Sequence, residues 1–395
     1  MSQRKKVRQP TPSKQPEMAE SVQWQPRNGF HFKYVLGGIL ILLGIGLIAF
    51  ISIFAFDREK SIRKSIENDI RRNRYSEAEA GYRKLADRKK GALSAQDRLD
   101  WATAALRGDH PGAALHVLQE WVEKSSDTPE GWIIMLDLLR VLGLGDRIIE
   151  AHDQILSNQV ARRSPTVLMT LTLGLLTDLE PEQLRQRLQK WVAAEPGEAI
   201  AQAALLQRYN ENPLPEDPSR DDRLQVCMNL LDRFPTSIET RMAFVELLLT
   251  NGQYHEAGEA LKQWPAQVKE SISHQRLLGR YLQDNLQDHE NAILSFQNVL
   301  KKATFDWKTR YRLARALKAA GQADKAMTES ARMLEIRELL EPNRLEPIIR
   351  QAFPKGKPPE PKQLVELLDK IGLNALADAW RIWLNDQNRF KLDRK

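Results

Sequence analysis

From residue 34 to residue 56 the chain reads YVLGGILILLGIGLIAFISIFAF, 23 positions without one charge. A helix of that length spans roughly 35 Å, against a bilayer hydrocarbon core of about 30 Å, so the pattern predicts one transmembrane helix over 34–56. Trp24, Phe30, Phe32 and Tyr34 cluster just before the span in the manner of an interfacial aromatic belt, and Asp57-Arg58-Glu59-Lys60 closes its other end. The stretch is longer than a signal-peptide core and no Ala-x-Ala precedes the charged boundary, which predicts an anchor that is not cleaved. Beyond it, apolar residues recur at i, i+3, i+4 and i+7 with no period-2 run. That pattern predicts helices and no sheet.

The helical pattern repeats. Small residues open a second helix after a turn at Ala78, Ala114, Ala257, Ala292 and Ala326. Adjacent ones lie 34 to 36 residues apart, and the wide gap from Ala114 to Ala257 equals four such steps. Tryptophan follows the same phase: Trp121, Trp191 and Trp264 stand seven residues after Ala114, Leu184 and Ala257. Leu156 fills the intervening slot, seven after Ile149. A bulky apolar residue two turns into each second helix predicts packing beneath the next pair.

These residues resemble the tetratricopeptide (TPR) repeat, two antiparallel helices in about 34 residues. The unit 238–271 carries the resemblance best, with Phe244, Gly252, Tyr254, Ala257 and Leu261 on the family's hydrophobic, turn-glycine, aromatic, small and large positions. The unit from Trp307 matches through Leu313, Ala314, Leu317, Gly321 and Ala326; the one between them matches through Leu278, Gly279, Ala292 and Phe296 if its turn holds one inserted residue. The resemblance implies an all-α chain: a TPR-like α-solenoid of about eight units over 57–337, with one continuous right-handed superhelical core. A proline-rich break at 354–361 then precedes helices near 363–371 and 373–386, so residues 338–395 are expected to cap the array, with Trp380 and Trp383 on one face.

Charge adds topology. The leader 1–33 is proline-rich, has few apolar residues and is net +5, which predicts a disordered basic tail. Its Arg4-Lys5-Lys6-x-Arg8 cluster reads first as a topology signal, with contact to anionic lipid or nucleic acid as the other reading. Seven Lys/Arg also follow the span within 20 residues, so the count near the ends alone does not orient the anchor. Because long domains cross regardless of charge while a short basic leader resists crossing, the leader is expected in the cytoplasm and the repeats on the outer, periplasmic or extracytoplasmic, side.

Motifs for chemistry are missing. No G-x-x-x-x-G-K-[ST] occurs, and Gly143-x-Gly145 has Ile148 where a dinucleotide loop needs its third glycine. His255-Glu256 lacks the second histidine of a zinc protease, and His110 and His116 would point apart on a helix. Cys227 is the one cysteine, which excludes an internal disulfide and reads as a small buried hydrophobe. The sequence therefore implies no enzyme, no cofactor and no metal, and a scaffold that holds a protein or peptide partner; an accessory role, positioning a separately encoded enzyme, is the alternative.

The resemblance also places a binding groove. In TPR-like arrays the first helix of each pair lines the concave side, which here assigns Ser273, Arg276, Arg280, Gln283 and Asp284, then Lys308, Tyr311, Arg315, Lys318 and Ala319. Arg276, Arg280, Lys308, Tyr311, Arg315 and Lys318 would form a basic, aromatic groove for an acidic peptide segment. The asparagine that the family's carboxylate clamps include is missing. An ordinary solvated helix face is the competing reading.

Overall fold

The computed structural model describes residues 58–124 and 128–392, with side chains through 387. The predicted leader and the predicted span over 34–56 lie outside the described residues. No helix among the described residues is long and apolar enough to cross a membrane.

Helices follow one another as hairpins. Helix α1 (residues 58–71) pairs with α2 (Tyr75–Arg88), α3 (Ala95–Arg107) with α4 (Pro111–Lys124), and α5 (Pro129–Val141) with α6 (Gly145–Ser157). A five-residue helix α7 (Gln159–Arg163) leads to α8 (Pro165–Leu176) and α9 (Pro181–Ala194). The array continues with α10 (Ala199–Glu211) and α11 (Arg220–Arg233), α12 (Ile238–Thr250) and α13 (Tyr254–Lys262), α14 (Ile272–Tyr281) and α15 (His289–Lys302), and α16 (Trp307–Ala319) and α17 (Ala323–Leu339). Helices α18 (Pro342–Ala352), α19 (Lys362–Ile371) and α20 (Asn374–Leu392) end it.

Local chemistry sets the boundaries. Ser94 and Asp97 exchange hydrogen bonds with each other's backbone N–H, at 3.0 and 3.3 Å, and so satisfy two orphan donors at the start of α3. Pro129, Pro165 and Pro181 occupy the first turn of the helix that follows, where proline's missing N–H costs nothing. Gly252 takes φ +73° in the turn between α12 and α13, a conformation that a side chain would strain. The residue inserted before α15 is absorbed as a π-helical turn, Leu282–Leu286, which Gln287 ends at φ 54°.

One register runs through every second helix. Its fourth residue and the residue seven further on face inward together: Ala78 with Leu85, Ala114 with Trp121, Ile148 with Ile155, Leu184 with Trp191, Arg223 with Leu230, Ala257 with Trp264, Ala292 with Val299, and Ala326 with Met333. All sixteen are buried. The expected third-unit pair, Ile149 and Leu156, is thus displaced by one residue. Gly145 starts α6, and Ile148 and Ile155 take the two slots at 1% and 0% exposure.

The array is not one evenly wound spiral. Helix α8 packs on α5, α6 and α7, but α9 packs on α10, and α10 crosses onto α4. The second run of pairs therefore leans back over the first. Lys190 reaches Asp109 at 3.0 Å, Arg147 pairs with Glu239, and the backbone N–H of Ile272 donates to Glu150 at 3.1 Å.

The C-terminal helices do the same. The expected cap turns inward: α20 lies on α6, α7 and α8, and α19 on α17. Trp380 is fully buried and donates its indole N–H to Thr172 Oγ1 at 3.2 Å, and it packs edge-on against Trp383 with 5.8 Å between ring centroids. Helix α8 reads PTVLMTLTLGLL with no polar face, as a helix covered on several sides must.

Candidate functional site: the α14–α16 face and the cleft over α4

The six residues of the expected groove fall into two groups. On α14, Arg276 donates to both carboxylate oxygens of Asp146 at 2.6 Å and to Asp306 at 2.8 Å. Ser273 donates to the same Asp146 at 2.8 Å, and Asp306 in turn caps α16 by accepting from the Thr309 N–H at 3.0 Å. Burial alone would pull the Arg276 guanidinium down and push the Asp306 carboxyl up. The opposite charges and hydrogen bonds win in both cases, so Arg276 is raised and Asp306 lowered. Arg280 pairs with Glu246 of α12 at 3.0 Å. Both arginines of α14 are thereby committed to neighbouring helices, and Gln283 is buried with its amide on the Arg312 carbonyl.

On α16 the remaining four are exposed. Lys308, Tyr311, Arg315 and Lys318 recur at helical spacing along one side of α16, away from buried Leu313, Ala314, Ala316 and Leu317. Arg315 stacks over the Tyr311 ring at 5.9 Å, and Tyr311 is 49% exposed. Lys308 lies 5.8 Å from the Trp307 ring centre. Among the described residues none of these four has a carboxylate within ion-pair distance. The strip is a flat, cationic surface with a rigid aromatic centre.

A cleft elsewhere was not legible in the sequence. A cleft of about 880 Å³ separates α2 and α4 from the turns before α10 and α12. Glu79 is buried on its wall, held by Arg83 at 2.7 Å and by His110 Nδ1, while Glu239 on the far side holds Arg147. Glu198 caps α10 through the N–H groups of Ile200 and Ala201 at 2.9 and 2.6 Å, and burial pushes its carboxyl up against them. Gly112 leaves room for this cap: a Cβ in its place would collide with the Glu198 carboxylate, which would have to move aside. His116 turns outward and pairs with Glu120 instead. Glu79, Glu198 and Glu239 thus each have a partner, and among the described residues no group of three or more His, Cys, Asp or Glu stands as metal ligands would.

No family model and no curated protein matches the sequence. Among solved structures the chain is similar to a thermophilic TPR protein of Thermus thermophilus, at 16% identity over 57% of this chain and 99% of that one, with a TM-score of 0.29. It is similar to a tetratricopeptide repeat protein of Parabacteroides merdae, at 11% identity over 66% and 98% of the two chains, with a TM-score of 0.31. A third is the Cut9–Hcn1 hetero-tetramer of APC/C, at 13% identity over 81% and 74%, with a TM-score of 0.39. The helix pairs and their common inward register are the chain's own evidence. The fold is TPR-like.

In this TPR-like chain, spacing could place Lys308 to Lys318 because they lie on one helix. It could not show that Arg276 is spoken for. Asp146, its partner, is 130 residues away, and no periodicity connects the two.

Proposed function

We propose that the chain is a membrane-anchored interaction scaffold whose α16 strip takes an acidic segment of a partner protein. The apolar run over 34–56 supplies the bilayer contact, with the basic leader in the cytoplasm and the repeats on the outer side. The observation that carries the binding reading is the exposed line of Lys308, Tyr311, Arg315 and Lys318, with Arg315 stacked on Tyr311. Three cations and one aromatic ring on a single rigid helix face suit alternating carboxylates and an apolar side chain, and arginine adds two-pronged donors.

The test is fluorescence anisotropy of the full chain in detergent with a labelled Asp/Glu-rich peptide containing one aromatic residue. Binding should weaken as salt rises, since exposed charges are screened over about 10 Å at 0.1 M. Lys308→Glu with Arg315→Glu should abolish it while the circular dichroism spectrum is unchanged. Undiminished binding by that folded variant would move the interaction surface elsewhere.

A further inference from the structure

Beyond the apolar run, positive charge is concentrated where the array begins. Residues 58–91 hold twelve Lys/Arg and six Asp/Glu, a net of +6, whereas residues 92–395 hold forty and forty-three, a net of −3. Within that basic segment, α1 is two-sided. Ile66 is buried, and Ile62 and Ile70 pack with it against Tyr82 and Leu85 of α2. Lys60, Lys64 and Arg71 are four and seven residues apart, so they share one line along the side of α1 away from those isoleucines, and all three are exposed. Among the described residues Glu67 is the one acidic side chain near that line. Arg63, by contrast, is turned inward to Asp97.

We infer that the Lys60–Lys64–Arg71 face of α1 seats the first repeat on the anionic phospholipid headgroups of the membrane. The inference rests on the anchor proposed above, because a span ending at residue 56 tethers Lys60 four residues from the bilayer. At that range a surface charge acts within one Debye length, and each juxtamembrane cation adds to the attraction. Phosphate and carboxylate headgroups are the anions this face meets first and at highest local density. The same stripe would fit nucleic acid by charge alone, but α1 offers it no exposed aromatic residue to stack on bases.

The test uses the full chain, offered to vesicles of phosphatidylcholine alone or with about a third phosphatidylserine, and floated on a density gradient. Flotation with neutral vesicles sustains the anchor. The seating is then read by acetylation of lysines with a water-soluble reagent. Lys60 and Lys64 should react several-fold more slowly on anionic than on neutral vesicles, the difference should vanish in high salt, and exposed Lys362 should react equally on both. Equal rates for Lys60 and Lys64 on both lipids would overturn the inference while leaving the anchor standing. Failure to float with neutral vesicles sinks the anchor instead. In that case flotation with anionic vesicles alone, lost in the Lys60→Gln, Lys64→Gln, Arg71→Gln variant, upholds the seating, and no flotation with either overturns both. If, in that unanchored case, the variant still associates with anionic vesicles as the wild type does, or loses binding to a DNA duplex and not to vesicles, the stripe is not a lipid contact.

Discussion

The guanidinium of Arg276 lies 2.6 Å from both carboxylate oxygens of Asp146, which precedes it by 130 residues. That contact joins α14 to α6, and through Asp306 it extends to α16. Three helices from three repeats therefore meet on one side chain. A groove arginine in an open array would face solvent. Here the folding-back of the later repeats gives it two carboxylates, and its side chain keeps only 30% exposure.

Removing one partner of such a cluster leaves the others charged and enclosed. Arg276→Ala should therefore cost roughly 3 kcal/mol, toward the lower end for a buried pair because the side chain retains some exposure. Arg315→Ala, on the exposed strip, should cost less than about 0.5 kcal/mol. Urea denaturation monitored by circular dichroism separates the two. Equal small losses would mean that the contact between α6 and α14 does not hold the repeats together.

The repeat cores make a second contrast. Trp191 is 2% exposed and Met327 is 66% exposed, although both lie on second helices of the array. Trp191→Ala should destabilise by roughly 3–5 kcal/mol, through lost burial and an unfilled cavity. Met327→Ala should change little. The same denaturation measurement tests the register, and a Trp191 variant as stable as wild type would contradict it.

Periodicity made much of this legible, and its limits are physical. The 34-to-36-residue steps and the in-phase tryptophans reported the hairpins because helix pitch is local. Periodicity does not separate Ile148 from Ile149, because both are apolar and only the position of Gly145, as the start of α6, decides between them. The fold-back of α20 left one readable trace, the lack of any charged residue on α8, which says that something covers it but not what. Glu79 with His110, Arg147 with Glu239 and Asp146 with Arg276 pair across distant segments through polar groups, and spacing carries no information on such partners.

The cover of α8 can be tested directly. Ending the chain after Gly372 removes α20 and bares α8, together with the Thr172 hydroxyl that accepts from Trp380. Such a protein should bind a hydrophobic dye and aggregate on mild heating, as exposed contiguous apolar surface predicts. Trp380→Phe keeps most of the packing and removes the hydrogen bond, for a loss of about 1 kcal/mol. A truncated protein that melts as wild type would show α20 to be dispensable.

Acid should loosen the first repeats through Asp97. The Arg63 guanidinium hydrogen-bonded to it, against the opposing effect of burial, holds its carboxyl at about 2, below the ordinary value of 3.8. A folded-state value below the unfolded one means that the unfolded chain takes up the proton first. The stabilisation is thus complete above pH ~4 and is lost as pH falls from there toward 2. Stability of Asp97→Asn should lie below wild type at neutral pH and converge with it in that window. Parallel pH curves for the two proteins would remove the assignment.

Cys227 provides a clean way to ask which side of the membrane the repeats occupy. It is fully buried in α11, and burial pushes its thiol up to about 12, so at neutral pH it stays protonated and out of reach. Folded wild-type chain should then leave a membrane-impermeant maleimide unreacted, and labelling should appear only on unfolding. Against that silent background a thiol placed by Lys325→Cys on α17, at an exposed position, reports location alone. With the leader in the cytoplasm, that thiol should be labelled on cells whose outer membrane is permeabilised and whose inner membrane is intact. A Ser2→Cys thiol in the leader should be labelled only after lysis. The opposite pattern, with Ser2→Cys labelled and Lys325→Cys protected, would reverse the proposed topology: the seven basic residues after the span, and not the leader, would then have set it.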